Sequence, residues 1–340
     1  MDFELSVEQE ALRDAAGELL AGRSPIPVVR AAMERGGSPD ADLWAAMVEQ
    51  GWAGIVTPEL KGGLGLGWVE AALLLEQVGS AVAPAPILGQ LVALDLLAGT
   101  AWAGSLLDCS TTAAVAFRAD EPLVYGPHAD VVVVAHDGRL MAIDLRGGGH
   151  RPHAEPAMDL TRSLGWLPAA ALADAPRLDV GGAPALTRLV DLGAVAYSAE
   201  LLGLAQRALD LSVQYAKERV QFGRPIGSFQ AVKHRCADML VDVEGMRSAV
   251  YWAAWCVSVD HEDASVAAST AKCWCSDAAT RVLASALQVH GGIGFTWEHD
   301  LHLYLKRAHL DSISFGDARF HRTRLAGLLR ARVESGQPVI

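Results

Sequence analysis

Apolar residues recur at intervals of three and four over most of the chain, and this spacing predicts helices. The longest run is Phe229, Val232, Cys236, Met239, Val243, Met246, Val250, Ala254 and Val257, which predicts one amphipathic helix over residues 229–259. Further helices are expected over 186–218, 264–290, 297–312 and 318–334, with short links, the pattern of a helix bundle. Near the start, Ser6 with Gln9 three residues on reads as a capping box. The apolar face Leu12, Ala15, Ala16, Leu19 and Leu20 follows, and Pro25 and Pro27 break that helix. Helical patterns return at 40–50, 68–78 and 88–97. In the middle the pattern changes. Ala113 to Phe117 and the β-branched run Val131 to Val134 read as strands, and His136-Asp137-Gly138 can turn the second back into 140–145. The fold class expected is α+β, mostly α. It has an N-terminal helical domain at 1–109, a small middle β domain at 110–180 and a C-terminal four-helix-bundle-like domain at 181–340.

Half of the 340 residues are hydrophobic (51%), enough for a large core shared by two or three domains. The formal net charge of -12 comes without any basic stripe, which argues against nucleic acid as a partner. Five cysteines are scattered and lack metal-ligand spacing, so all five are expected to be reduced core residues, with no metal site. No basic region followed by an apolar run opens the chain, and residues 91–97 are too short to span a bilayer. A cytoplasmic protein with no membrane span is the expectation. The run Lys61-Gly62-Gly63-Leu64-Gly65-Leu66-Gly67 invites a phosphate-loop reading, but no Lys-Ser or Lys-Thr follows and no parallel-strand unit precedes it.

The chemistry concentrates in residues 218–234, where a polar loop with Gly223, Pro225 and Gly227 interrupts two helical runs. It presents Arg219, Gln221, Phe222 and Gln230. A cation, two amides and an aromatic ring suit a dinucleotide: Arg for the pyrophosphate, amides for sugar or ring, Phe for stacking. A second segment, Ala286-Leu287-Gln288-Val289-His290-Gly291-Gly292-Ile293-Gly294-Phe295, follows about sixty residues later. These two motifs, in this order, resemble signatures of the flavin-dependent acyl-CoA dehydrogenase family, and the glycine-rich run at 62–65 resembles that family's N-terminal connector. The resemblance covers most of the chain and is weakest in the middle. It implies that Arg219, Gln221, Phe222 and Gln230 face the adenine-dinucleotide half of FAD, and that Gln288, Gly291 and Gly292 contact the same cofactor across a dimer interface. His290 reads as a satisfied core or interface histidine. Lys272, Arg281, Lys306 and Arg307 are candidates for coenzyme A or inter-helix contacts, with a solvated or paired face the plainer reading.

α,β-Dehydrogenation of an acyl-CoA needs a carboxylate to take the weakly acidic Cα proton, while the flavin takes the hydride. The resemblance puts that base at Phe315, followed by Gly316-Asp317, or, in a second subgroup, near Gly193; neither is an acid. Asp317 and Glu200 lie close by. Asp317 is the candidate catalytic residue, with helix N-capping as its competing role. The family's Thr-Glu-Pro-x-Ala-Gly-Ser-Asp motif is also absent; Phe117-Arg118-Ala119-Asp120-Glu121-Pro122 stands in its place. Intact nucleotide motifs, a reduced middle domain and a missing base resemble the smaller subunit of bacterial heterotetrameric members, including those acting on steroid side-chain CoA thioesters. The partners implied are a homologous subunit, the acyl-CoA substrate and an electron-transfer flavoprotein-type acceptor. Two alternatives stand beside it: a homo-oligomeric acyl-CoA dehydrogenase with Asp317 as base, and a catalytically inactive scaffold binding an acyl-CoA or a partner protein.

Overall fold

The computed structural model describes residues 4–147 and 149–338. Six helices come first: α1 (Val7–Arg23), α2 (Ile26–Glu34), α3 (Ala41–Glu49), α4 (Trp68–Ser80), α5 (Ile87–Leu97) and α6 (Ala103–Leu107). The capping box is formed: Ser6 Oγ accepts from the Gln9 N–H at 3.2 Å, and Gln9 Oε1 accepts from the Ser6 N–H at 3.0 Å. Pro25 and Pro27 end α1 but also start α2, where proline is tolerated because first-turn N–H groups lack helical partners. Periodicity alone marks them only as a break and gives no sign of α2.

The middle section holds β1 (Ala113–Ala116), β2 (Leu123–Val124), β3 (Val131–His136), β4 (Arg139–Asp144), β5 (Leu164–Gly165), α7 (Ala169–Asp174) and β6 (Arg177–Gly181). The expected hairpin is β3–β4, paired from Val131↔Asp144 to His136↔Arg139. Asp137 (φ 49°) and Gly138 (φ 73°) both take the left-handed conformation that a two-residue hairpin turn requires. The sheet runs β1-β3-β4-β6, and β1 joins β3 in parallel, a pairing the sequence pattern did not suggest. Both faces are buried. Ala113, Val115, Val131 and Val133 point into the main core, and Ala114, Ala116, Val132 and Val134 into a second one under α7. The near-continuous apolar run at Val131 to Val134 follows from that double burial.

The remainder is α8 (Ala183–Glu218), the short hairpin β7 (Val220–Gln221) and β8 (Arg224–Pro225), then α9 (Gln230–Ser258), α10 (Ala264–His290), α11 (Leu301–Ile313) and α12 (Ala318–Glu334). The helix expected from residue 297 begins only at Leu301. Arg30 holds the preceding segment, donating to the Trp297 carbonyl at 3.0 Å and pairing with Asp300 at 2.7 Å. Among the described residues no helix is long and apolar enough to cross a membrane. Cys256 and Cys275 are buried, whereas Cys109, Cys236 and Cys273 are only half-buried.

One helix crossing positions everything that follows. α4 and α8 meet at Gly79 and Gly203, and a Cβ on Gly203 would lie 1.8 Å from the Glu76 carbonyl oxygen. On Gly79 it would lie 2.1 Å from the Glu200 carbonyl oxygen. Glycine is required on both helices for the backbones to approach this closely. The crossing draws α8 into the interior, where residues 189–205 are all buried. Gly203→Ala is expected to destabilise the fold by about 2–3 kcal/mol through overpacking. Urea unfolding reads this; a loss under about 0.5 kcal/mol contradicts the tight crossing.

Candidate functional site

Phe315 occupies the position where the family resemblance places a base, and it is only 2% exposed. Its ring packs against Gly193, the other base position. A Cβ on Gly193 would sit 2.0 Å from Phe315 Cδ1, so no larger residue fits there while Phe315 keeps this rotamer. Tyr197, one turn along α8, stacks obliquely on the same ring at 5.6 Å. Phe315 adopts φ +57°, an unfavourable conformation for an aromatic residue, and two buried groups hold it there. His321 Nε2 donates to the Phe315 carbonyl at 2.8 Å. Burial pushes the His321 pKa down to about 4, so the ring stays neutral. Lys272 Nζ donates to the carbonyls of Asp311 and Ser312, each at 2.9 Å, and so caps the C-terminus of α11, where positive charge is favoured. Burial lowers this ammonium's pKa to about 8.

Behind Phe315 the interior is ionic. Arg162 and Arg307 face Asp159, Glu200 and Asp311, and all five are at least 97% buried. Arg162 reaches Glu200 at 3.1 Å, Asp159 at 3.3 Å and, in a short contact, Asp311. Arg307 reaches Glu200 at 3.0 Å and Asp159 at 3.3 Å, and donates to Thr161 Oγ1 at 2.9 Å and to the Ala83 carbonyl at 3.2 Å. Three carboxylates thus share two guanidiniums. Burial, opposed by the two arginines and reinforced by Glu200 and Asp159, lifts the Asp311 pKa to about 8. Its Oδ2, which has no hydrogen-bond partner among the described residues, is the place for that proton. Little room is left directly beside Phe315, although a cavity of 460 Å³ lies against Met158, Asp159, Lys306, His309 and Ile313. A cavity of 20 Å³ remains beside Tyr125, Tyr197, Arg162 and Glu200, and one of 140 Å³ beside Val115, Glu121, Tyr197 and Phe315. Sites for small organic ligands commonly occupy about 300–1,000 Å³.

The other sequence candidates lie elsewhere. Glu200 is locked in the ionic cluster. Asp317 is the N-cap of α12, its Oδ1 accepting from the Phe320 N–H at 2.7 Å. Lys272 and Arg307 are fully buried, so the expectation of a solvated face fails for both, though Arg307 is paired. Arg281 does pair at the surface, with Asp242, and Lys306 sits over the Trp297 ring at 3.9 Å. Sequence reading missed Asp159, Arg162 and Asp311. The signal was present: an Asp-Leu-Thr-Arg run in an otherwise apolar stretch, and an acid on the interior face of α11.

The nucleotide candidates sit at the far ends of α8 and α10. Arg219, Gln221, Phe222 and Gln230 are all exposed, and Phe222 is 92% exposed at φ +54°. Among the described residues the Arg219 guanidinium has no ion pair. α9 starts at Gln230 without a side-chain cap; the Val232 N–H bonds the Phe229 carbonyl at 3.1 Å, which leaves the Gln230 and Ala231 amides to meet an anion. Gln288 and Gly292 are exposed, and a Cβ built on Gly291 or Gly292 meets nothing within 4 Å. Gly291 has φ 63° and ψ −142°, a conformation open only to glycine. Tyr215 on the last turn of α8 stacks on His290 at 4.7 Å, so the two segments are neighbours within one chain, whereas the resemblance implied that the second reaches the cofactor across a dimer interface. An open glycine-lined surface with a free guanidinium fits a dinucleotide phosphate. The filled interior at Phe315 does not fit a flavin ring with an acyl chain beside it.

Residues 6–101 match the acyl-CoA dehydrogenase N-terminal domain and residues 181–329 match the acyl-CoA dehydrogenase C-terminal domain. The chain belongs to the acyl-CoA dehydrogenase family, flavoprotein oxidoreductases acting on the CH–CH bond of acyl-CoA thioesters. It is 36% identical to the acyl-CoA dehydrogenase IpdE2 of Mycolicibacterium smegmatis, over 94% of this chain and 98% of that one. Among solved structures it resembles the Tcur3481–Tcur3483 steroid ACAD (G363A variant) at 28% identity and TM-score 0.87, covering 96% of this chain and 99% of that one. It also resembles the ChsE4–ChsE5 complex from Mycobacterium tuberculosis at 26% identity and TM-score 0.85, covering 97% and 99%.

Asp311 gives a pH prediction. Its raised pKa adds stability below about pH 4 that is lost as pH rises toward 8. Asp311→Asn mimics the protonated acid, so its thermal midpoint should fall less than the parent's between pH 5 and 8. Asp311→Ala removes the oxygen that faces Arg162 and leaves a buried donor unsatisfied, which should cost about 1–3 kcal/mol. Parallel pH profiles for the parent and Asp311→Asn contradict a protonated Asp311.

Proposed function

We propose that this chain is the subunit without an acyl site of its own in an acyl-CoA dehydrogenase built from two unlike, homologous subunits. Its role is to grip the nucleotide half of an FAD whose ring lies against the partner. The observation that carries this reading is the contact of Phe315 with Gly193: the two positions where family members carry a base both hold apolar groups, and these fill each other's space. Two structural relatives, Tcur3481–Tcur3483 and ChsE4–ChsE5, are pairs of different chains, and the first is a steroid ACAD, which supports an unlike partner and a steroid side-chain CoA thioester as substrate.

Bound FAD supplies the hydride acceptor; the rest concerns this chain's residues. Arg219 would hold the pyrophosphate with its guanidinium, helped by the uncapped start of α9. Phe222 offers a flat apolar surface, and Gln221, Gln230 and Gln288 offer amides. Gly291 and Gly292 let the cofactor approach the backbone. The partner provides the Cα base and the cavity for the acyl chain. An electron-transfer flavoprotein-type acceptor then takes the electrons from the complex.

Purified alone, the chain should be colourless and inactive; purified with its homologous subunit, it should be yellow and oxidise acyl-CoA. Stoichiometric FAD and turnover in the lone chain contradict the proposal. In the complex, Arg219→Ala removes a charge-assisted contact worth about 1.5–3 kcal/mol and should weaken FAD binding at least about tenfold. Asp317→Asn should leave turnover unchanged and cost little stability, because asparagine caps a helix start about as well as aspartate does. Lost turnover with flavin retained would instead make Asp317 the base.

A further inference from the structure

We propose that the Tyr215–His290 stack is a brace setting the spacing of the two cofactor-facing segments, which makes His290 a positioning residue for nucleotide binding. This rests on the reading of those segments given under Proposed function. Tyr215 lies one turn before Arg219, and its carbonyl accepts the Arg219 N–H at 2.8 Å, so ring and guanidinium ride on the same end of α8. His290 is the last residue of α10, two after Gln288 and next to Gly291. The rings face each other at 4.7 Å and 24°.

His290 has one orientation available. Its Nδ1 lies 2.8 Å from the Ala286 carbonyl, an oxygen that can only accept, so Nδ1 carries the proton. His299 meets the ring edge-on at 4.6 Å, and Nδ1 of His299 is fixed in turn by the Leu301 N–H at 3.1 Å. Burial, with His299 nearby, disfavours the charged form of His290, so the stack is between neutral rings. The chain after His290 needs such an anchor. Gly291 and Gly292 have no side chains to pack, while Gly294 folds back until its Cβ would lie 3.0 Å from the His290 Cβ. His290 therefore meets the turn at Gly294 through its Cβ, while its ring stacks on Tyr215 at the Arg219 end of α8. A cation and an amide must be held a fixed distance apart to act on one cofactor, and small displacements of such groups are costly.

The test is FAD titration, followed by fluorescence, into the apo form of the flavin-binding complex. His290→Ala should raise the Kd of the folded complex about tenfold or more, alongside the lower thermal midpoint that truncating a buried ring brings. His290→Phe keeps a stacking ring and should bind within about threefold of the parent. Tyr215→Ala and Tyr215→Phe should repeat this pattern from the other side, and they serve if His290→Ala does not fold. Equal weakening by Ala and Phe at both positions overturns the brace, as does parental affinity in both Ala variants. Arg219→Ala separates the two levels: if it binds FAD like the parent, the proposed function itself fails, whereas its weakening beside parental His290→Ala and Tyr215→Ala affinity sinks only the brace.

Discussion

The interior of this protein depends on how two buried guanidiniums, Arg162 and Arg307, are satisfied. Removing such charges from water costs several kcal/mol each, and only well-placed partners return it. Here Glu200 bridges both, Asp159 touches both and Asp311 completes Arg162. The cluster joins three parts of the chain: the strap at 159–163 from the middle section, α8 and α11. It ties their positions to one another, because removing one member leaves another buried charge without its partner. Such a network specifies one arrangement and leaves little space inside it.

Three local features converge on that closed state. The Gly79–Gly203 crossing draws α8 inward and sets Glu200 between the arginines. Lys272 and His321 then hold the turn after α11 so that Phe315, despite its positive φ, points at Gly193. A carboxylate at residue 315 would meet Gly193, Tyr197 and a 140 Å³ remnant of a cavity. At the opposite ends of α8 and α10 the surface stays polar, glycine-rich and exposed. One pair of helices thus carries a sealed end and an open end, and the division of labour proposed for the two subunits follows from this contrast.

The helices were legible because their apolar spacing is regular, and α10 and α12 run where periodicity placed them. Helix α2 was not, since two prolines mark a start as readily as a stop. The β3–β4 hairpin could be read from Val131 to Val134 and Asp137-Gly138. The parallel partnership of β1 could not, because nothing local encodes which strand lies beside it. At the site, the loss of a base at 193 and 315 was readable by position. That the two positions touch was not, and neither was the ionic cluster: Asp159, Arg162, Glu200, Arg307 and Asp311 are up to 152 residues apart. Only the fold turns five ordinary charged residues into one buried group.

The central claim is that this chain holds half of a flavin and no acyl group. The most direct measurement is the flavin content of the assembly of this chain with its homologous subunit, from visible absorbance against total amino acid. The account predicts one FAD for each pair of unlike chains. One FAD for every chain contradicts it, because the sealed interior at Phe315 would then have to open to hold a second ring.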